Sequence, residues 1–456
     1  MSRAVKSRQS LTSGPIGTIL TQMTLPMILG MIMMFSFNLV DTFFISLLGT
    51  EALSAISFTF PLTFTVMSLA IGLSIGTSAV VAKYIGRGDE ERAKEASTIT
   101  NYVAILLAIV IAVIGYFTMD QIFLAMGASV ELLPTIREYM DIWLPTSPLL
   151  VAIICANSVL RANGDTRTPS LLMAAAGLIN AALDPILIFG LGPIPAMGVQ
   201  GAALATTLSW VAGVVFLFYF LLIRHQLVSP TLPSRAVLLT SSREMLRIGI
   251  PASGANMMTP LAAAVMTAIV ASYGEEAVAA FGVGSRLESI ACIVILALSS
   301  TLPPFISQNL GAEKPERIAE ACRLSIRFVL LWQLLIYAVL AITAPIISWL
   351  FTREESVANI IQTFIWIMPL SYGMQGVIIL CNSALNAMHH PMSALYLSAA
   401  RFFIFYVPLA WLLGNWLGLP GVFAGAALGN LLMAWISWST VKRAIHHEAD
   451  PAIQID

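Results

Sequence analysis

Twelve stretches of this chain are each long and apolar enough to cross a lipid bilayer, and no other feature constrains its fold so strongly. They run over roughly 17–48, 52–82, 96–119, 132–160, 168–191, 197–223, 246–272, 278–308, 318–351, 357–387, 392–413 and 420–441. A helix needs about 20 predominantly apolar residues to span the hydrocarbon core, where every backbone polar group must be satisfied within the protein. The expectation is an all-α polytopic membrane protein with twelve transmembrane helices. A soluble alternative fails on charge. Of 456 residues, 58% are apolar and only 10% are Asp, Glu, Lys or Arg, against about 25% charged residues in a soluble domain. The first apolar run is too long for a signal-peptide core and has no small-residue cleavage site after it, so it reads as the first span.

Basic and acidic residues nearly cancel, 23 against 24, which leaves no excess for nucleic-acid binding. Their placement is informative. Nineteen of the 23 fall at the N-terminus (Arg3, Lys6, Arg8), the C-terminus, or the even-numbered loops between, whereas the opposite loops hold only Arg353. The positive-inside rule then places both termini in the cytoplasm. Cys155, Cys292, Cys322 and Cys381 lie in or beside apolar segments without CxxC spacing and read as packing residues, not as disulfides or a zinc site.

The chain is duplicated. Pro26, Gly49, Glu51-Ala52, Gly86, Glu91-Arg92, Glu95-Ala96 and Asn157-Ser158 recur 225 residues later as Pro251, Gly274, Glu276-Ala277, Gly311, Glu316-Arg317, Glu320-Ala321 and Asn382-Ser383. The register then slips slightly to align Gly201-Ala202-Ala203-Leu204 with Gly425-Ala426-Ala427-Leu428. Six spans per copy give both copies one orientation, related by an axis along the membrane normal. The organisation expected is an N-lobe at 1–223, a connecting segment at 224–245 containing Pro230 and Pro233, and a C-lobe at 246–456. Two similar six-helix bundles suit an alternating-access transporter better than an enzyme with one catalytic constellation. No Walker lysine motif supports direct use of ATP.

Few polar residues lie inside the spans, and they are the candidates for function. Asp41 stands about 12 Å from the outer end of span 1, counted at about 1.5 Å per residue; Asp184 in span 5 and Tyr139 in span 4 lie at similar depth. Asn38 and Asp41 are three residues apart and Asn180 and Asp184 four apart, so each aspartate has an amide on its own helical face. Burial disfavours a charged carboxylate and two neighbouring carboxylates oppose each other's ionisation, which makes the pair a proton site. Sodium remains open, because Asp41, Asp184, Asn180 and a carbonyl freed by Pro185 supply several oxygens. Asp141 follows Arg137 by one helical turn and reads as a structural ion pair. Arg286 and Glu288 line a cavity or pair across helices, and Arg401 has no evident partner. Met34 and Phe37, on a methionine-rich span 1, suit a pocket that accepts many apolar shapes. Pro26 removes a helical hydrogen bond and offers a hinge.

The duplication, the span carrying Pro26 and Asp41, the loop Gly86-Arg87-Gly88-Asp89-Glu90-Glu91-Arg92 and the span with Asn180, Asp184 and Pro185 together resemble the multidrug and toxic compound extrusion (MATE) transporters, of the prokaryotic DinF-like branch. The resemblance covers essentially the whole chain. It implies an efflux antiporter in the inner membrane, exporting cationic or amphipathic drug-like molecules in exchange for protons or sodium, with no other cofactor or resident metal and a monomer as the expected state. It implies coupling at Asp41, Asp184, Asn180 and Tyr139, a cargo site at Met34, Phe37, Asn38, Asn157, Met173 and Asn180, and bending at Pro26. The NorM-like branch carries acids in spans 7 and 10; here 246–272 and 357–387 contain none, and the counterpart of Asp41 is Met266. The alternatives are a flippase for a lipid or lipid-linked oligosaccharide, whose phosphates call for basic residues such as Arg286 or Arg401, and a membrane-embedded enzyme.

Overall fold

The computed structural model describes residues 11–229 and 233–449, with every side chain in its helices except those of Asn38 and Thr50. Arg3, Lys6, Arg8 and Pro230 lie outside the described residues. Those described are helical throughout, in chain order α1 (Ile16–Ser46), α2 (Thr50–Gly86), α3 (Glu90–Ala125), α4 (Leu133–Ala162), α5 (Arg167–Phe189), α6 (Gly198–Phe218), α7 (Arg235–Ala271), α8 (Glu275–Ala291), α9 (Ile293–Gly311), α10 (Pro315–Phe351), α11 (Glu355–Ile367), α12 (Tyr372–Ala387), α13 (Pro391–Ala400), α14 (Val407–Leu417) and α15 (Leu419–Ala449). Twelve spans among them are long and apolar enough to cross a membrane.

The duplication read from the sequence is written in the backbone. Gly49 and Gly274, which open α2 and α8, have φ of +110° and +108°, a conformation that side chains with a Cβ resist. Gly88 has φ +77°, and its counterpart 225 residues on is Glu313 at φ +55°. The repeated Gly-Ala-Ala-Leu sequences also acquire a reason. A Cβ on Gly201 would sit 2.5 Å from the Leu187 carbonyl of α5, and one on Gly425 would collide with Leu409 of α14. Each glycine lets two helices touch backbone to backbone.

The chain divides into two compact units: one is Leu25–Ser253, the other Leu11–Thr24 with 254–449. The division therefore runs through α1 and α7. Within the first unit, α7 lies on Gly72 and Gly76 of α2; a Cβ on Gly76 would stand 2.5 Å from the Met245 carbonyl. Within the second, Thr24 of α1 and Thr301 of α9 share a hydrogen bond of 2.9 Å. Thr24 and Thr301 are the 225-residue counterparts of Gly249 and Gly76, so the exchange is reciprocal. The chain just before α1 is further tied to its unit by buried Asn309, whose Nδ2 donates to the Leu11 carbonyl (3.1 Å) while its Oδ1 accepts from Arg317 Nε (3.0 Å). Arg317 Nη1 donates to the Gly14 carbonyl (3.0 Å).

Several local features differ from the sequence reading. Residues 235–245, read as connecting chain, are the opening turns of α7; Arg235, Arg243 and Glu244 keep this end polar, and hydropathy registers only the apolar part of a helix. Span 8 is two helices, α8 and α9, meeting at Cys292. There the buried amide of Gln333 on α10 donates to the Ala291 carbonyl (2.9 Å), occupying an acceptor at the break. Span 10 is interrupted by a 3₁₀ turn at Met368–Ser371, where Pro369 supplies no N–H, and span 11 by a π turn at Arg401–Tyr406. α1 stays helical through Pro26. Arg137 pairs chiefly with Asp120 of α3, through two bonds of 2.6 and 2.9 Å, and only secondarily with Asp141 at 3.4 Å. All four cysteines are buried free thiols.

Candidate functional site

Small residues bring α1 against α5 in the first unit. A Cβ on Gly30 would lie 3.1 Å from Ser170 Cα, and one on Gly177 would collide with the ring of Phe37. Ser170 Oγ donates to Met27 Sδ at 3.4 Å, and the rings of Phe44 and Phe189 meet edge-on at 6.2 Å between centroids. Held this closely, the two helices bring Asp41 and Asp184 together.

Asp184 is fully buried, Asp41 half-buried, and the two carboxyl groups are neighbours that influence each other electrostatically. Two ionised carboxylates have no donor between them, so a direct hydrogen bond within this pair would form only when one of them carries a proton. Asn180 Nδ2 donates to Asp184 Oδ1 (3.3 Å) and also lies 3.4 Å from Thr206 Oγ1 of α6. The other oxygens, Asp41 Oδ1 and Asp184 Oδ2, are buried without a partner. Tyr139 is buried within electrostatic reach of both carboxyls and, among the described residues, makes no hydrogen bond to either.

The remaining residues singled out from the sequence are dispersed around this pair. Met34 and Phe37 stand seven and four positions before Asp41, on its helical face; Phe37 is committed to Gly177. The side chain of Asn38 lies outside the described residues. Met173 is two turns before Asn180 on α5 and partly exposed. Asn157 is buried with its carbonyl oxygen unpaired. Thr206 was missed by sequence reasoning; its only signal is a hydroxyl in mid-span.

A second polar group, in the other unit, was missed as an ensemble. Glu288 accepts from Gln375 Nε2 (2.8 Å), and Arg401 Nε donates to Asn430 Oδ1 (3.1 Å). Arg286 is exposed.

Residues 26–186 and 251–412 each match the MatE family, two copies beginning 225 residues apart. The chain belongs to the MatE family. It is similar to the FAD transporter of Shewanella oneidensis, with 40% identity over 440 residues, 96% of this chain and 97% of that protein. The Vibrio cholerae MATE transporter VcmN in its bent form superposes with a TM-score of 0.90 at 33% identity, over 97% of this chain and 98% of its own. The multidrug export protein MepA of Staphylococcus aureus is 25% identical over 427 residues, 92% of each chain. This MatE protein is thus a multi-pass membrane transporter and not an enzyme, and its family-level function is multidrug efflux by alternating access.

Proposed function

We propose that this transporter is a proton-coupled exporter of the DinF-like branch, acting as a monomer in the inner membrane with both termini in the cytoplasm. The observation that supports the reading is the neighbouring carboxyl pair Asp41 and Asp184 inside an apolar bundle, where burial and mutual repulsion favour a proton on one of the two. Proton and cargo must favour opposite arrangements of one element, since a ligand shifts an equilibrium only by its differential affinity for the two states. α1 is that element: it carries Asp41 with Met34 and Phe37, and Pro26 stands at the unit boundary. Asn157, Asn180 and Met173 complete the cargo surface. The absence of acids from 246–272 and 357–387 supports the branch assignment and N-lobe coupling. Sodium at the same carboxyls is the alternative.

A second reading concerns the cargo. The Shewanella FAD transporter is 40% identical to this chain, while similar proteins named for multidrug resistance or export are 24–29% identical. We infer that flavin adenine dinucleotide is a cargo alongside organic cations. The test is uptake into proteoliposomes loaded with protein, using ethidium and flavin adenine dinucleotide, under separately imposed proton and sodium gradients. Uphill movement driven by protons alone supports the reading. Movement driven only by sodium overturns proton coupling, and ethidium transport without flavin transport overturns the second cargo.

A further inference from the structure

Four polar side chains that the coupling site does not use converge in the second unit, each deep within its span. Arg401 lies ten residues into the helical stretch Pro391–Leu417 and Asn430 eleven into Leu419–Ala449, so both stand about 15 Å along their helices. Gln375 is twelve residues from the end of Glu355–Ala387, and Glu288 thirteen past the start of α8. Secondary transporters keep binding groups at this depth, typically where helices are discontinuous. Here three ladders break beside the cluster: at Cys292, one turn past Glu288; at Met368–Ser371; and at Arg401–Tyr406.

Arg401 is 8% exposed and its guanidinium lies over the rings of Phe402 and Tyr406, 4.8 and 5.9 Å from their centroids. Asn430, which accepts from its Nε, is fixed in turn by donating Nδ2 to Ser371 Oγ (3.3 Å). A guanidinium has five N–H donors. Among the described residues its two terminal nitrogens have no hydrogen-bond partner, and no carboxylate comes within ion-pairing distance. Glu288, the nearest acid by electrostatic influence, is engaged by Gln375 instead. Tyr372 is fully buried nearby, its hydroxyl also without a partner. A buried cation oriented by an amide and by aromatic faces, with its planar fork unoccupied, matches the bidentate geometry of phosphate.

We propose that this cluster binds the phosphate groups of an anionic cargo, with Arg401 as the bidentate anchor, Asn430 orienting it, Tyr372 as a further donor and Glu288 as the opposing charge. The naming of the cargo rests on the flavin dinucleotide reading above; the phosphate site rests on this geometry. Organic cations do not engage Arg401, which separates the two cargo classes.

The test measures binding to purified full-length protein in detergent, by flavin fluorescence for flavin adenine dinucleotide and phosphate-free riboflavin and by calorimetry for inorganic pyrophosphate. Arg401→Gln is expected to weaken the dinucleotide at least tenfold while leaving riboflavin within twofold, and Glu288→Gln to tighten the dinucleotide severalfold by removing the like charge. Should Arg401→Gln fail to fold, Arg401→Lys, which keeps the charge and loses the fork, must show the same selective loss. Equal dinucleotide affinity in the Arg401 variant, a parallel loss of both flavins in a folded variant, or weakening by Glu288→Gln would each overturn the site. If the wild type binds neither flavin, the dinucleotide reading falls and pyrophosphate decides: binding that disappears in the Arg401 variant upholds the site, and no binding overturns it.

Discussion

If Asp41 and Asp184 share a single proton, as proposed, that proton sets a ceiling on what a pH gradient can drive. One pH unit is worth about 1.36 kcal/mol per proton, so a cycle that moves one shared proton per cargo molecule supports at most about a tenfold cargo ratio per pH unit at zero membrane potential. Two independently released protons would support about a hundredfold ratio. Asp41 is the half-buried member and Asp184 the enclosed one, so Asp41→Asn removes the carboxyl with access to water. It is expected to bring the steady-state ratio to one while leaving downhill exchange and folding intact. Asp184→Asn is expected to lower the ratio without abolishing it, because Asp41 still titrates. The assay is steady-state accumulation of ethidium in proteoliposomes, with the potential clamped by potassium and valinomycin and the pH step set to one unit. A tenfold ratio retained by Asp41→Asn would refute Asp41 as the coupling group. A wild-type ratio near a hundred would refute the shared proton.

Four further outcomes are expected. Gly201→Ala and Gly425→Ala each drive a methyl group into a facing backbone and should cost about 1–3 kcal/mol, read as earlier thermal unfolding in detergent. Glu313→Gly relieves a left-handed backbone worth about 1 kcal/mol against about 0.5 kcal/mol of added chain freedom; the net is a small rise in melting temperature, whereas Gly88→Ala should lower it. Burial holds the His225 imidazole below its ordinary range, helped by Arg224 and opposed by the Asp165 carboxylate 3.6 Å away. The folded state therefore takes up this proton less readily than the unfolded one, and stability is lost as pH falls below about 6.5; the loss between pH 7.5 and 5.5 should be shallower in His225→Gln. Single cysteines placed near Arg87, Arg235 and Arg317 should react only from the cytoplasmic side and those near Gly49, Gly127 and Gly274 only from outside, a test that labelling at Gly274 from the cytoplasm would fail.

Much of the architecture was legible because it depends on local pattern. Span number follows from apolar length, and the duplication from residues such as Gly49 and Gly274 whose backbone demands are local. The acid pair could be named because Asp41 and Asp184 are conspicuous in apolar helices. What escaped is long-range. The Glu288 and Arg401 cluster draws its amides from spans 10 and 12, with no spacing rule to join them. Gln333 at the Ala291 carbonyl is an ordinary mid-helix amide until the break it occupies is seen. Arg137 has an acid one turn along its own helix, which hid the better partner on α3. The sharing of α1 and α7 between units leaves no trace in hydropathy, since both helices are apolar on either side of the division.

The burial of Cys155, Cys292, Cys322 and Cys381 has a practical consequence. A thiol reacts only when a reagent can reach it as the thiolate, so the native chain should be silent toward maleimides while it stays folded. An introduced surface cysteine then stands as a lone handle without first emptying the protein of its own sulfur. On heating, the four concealed thiols emerge together with the core that hides them, one from the first compact unit and three from the second. A thiol-reactive dye thus reports unfolding directly, and the protein arrives with its own thermometer.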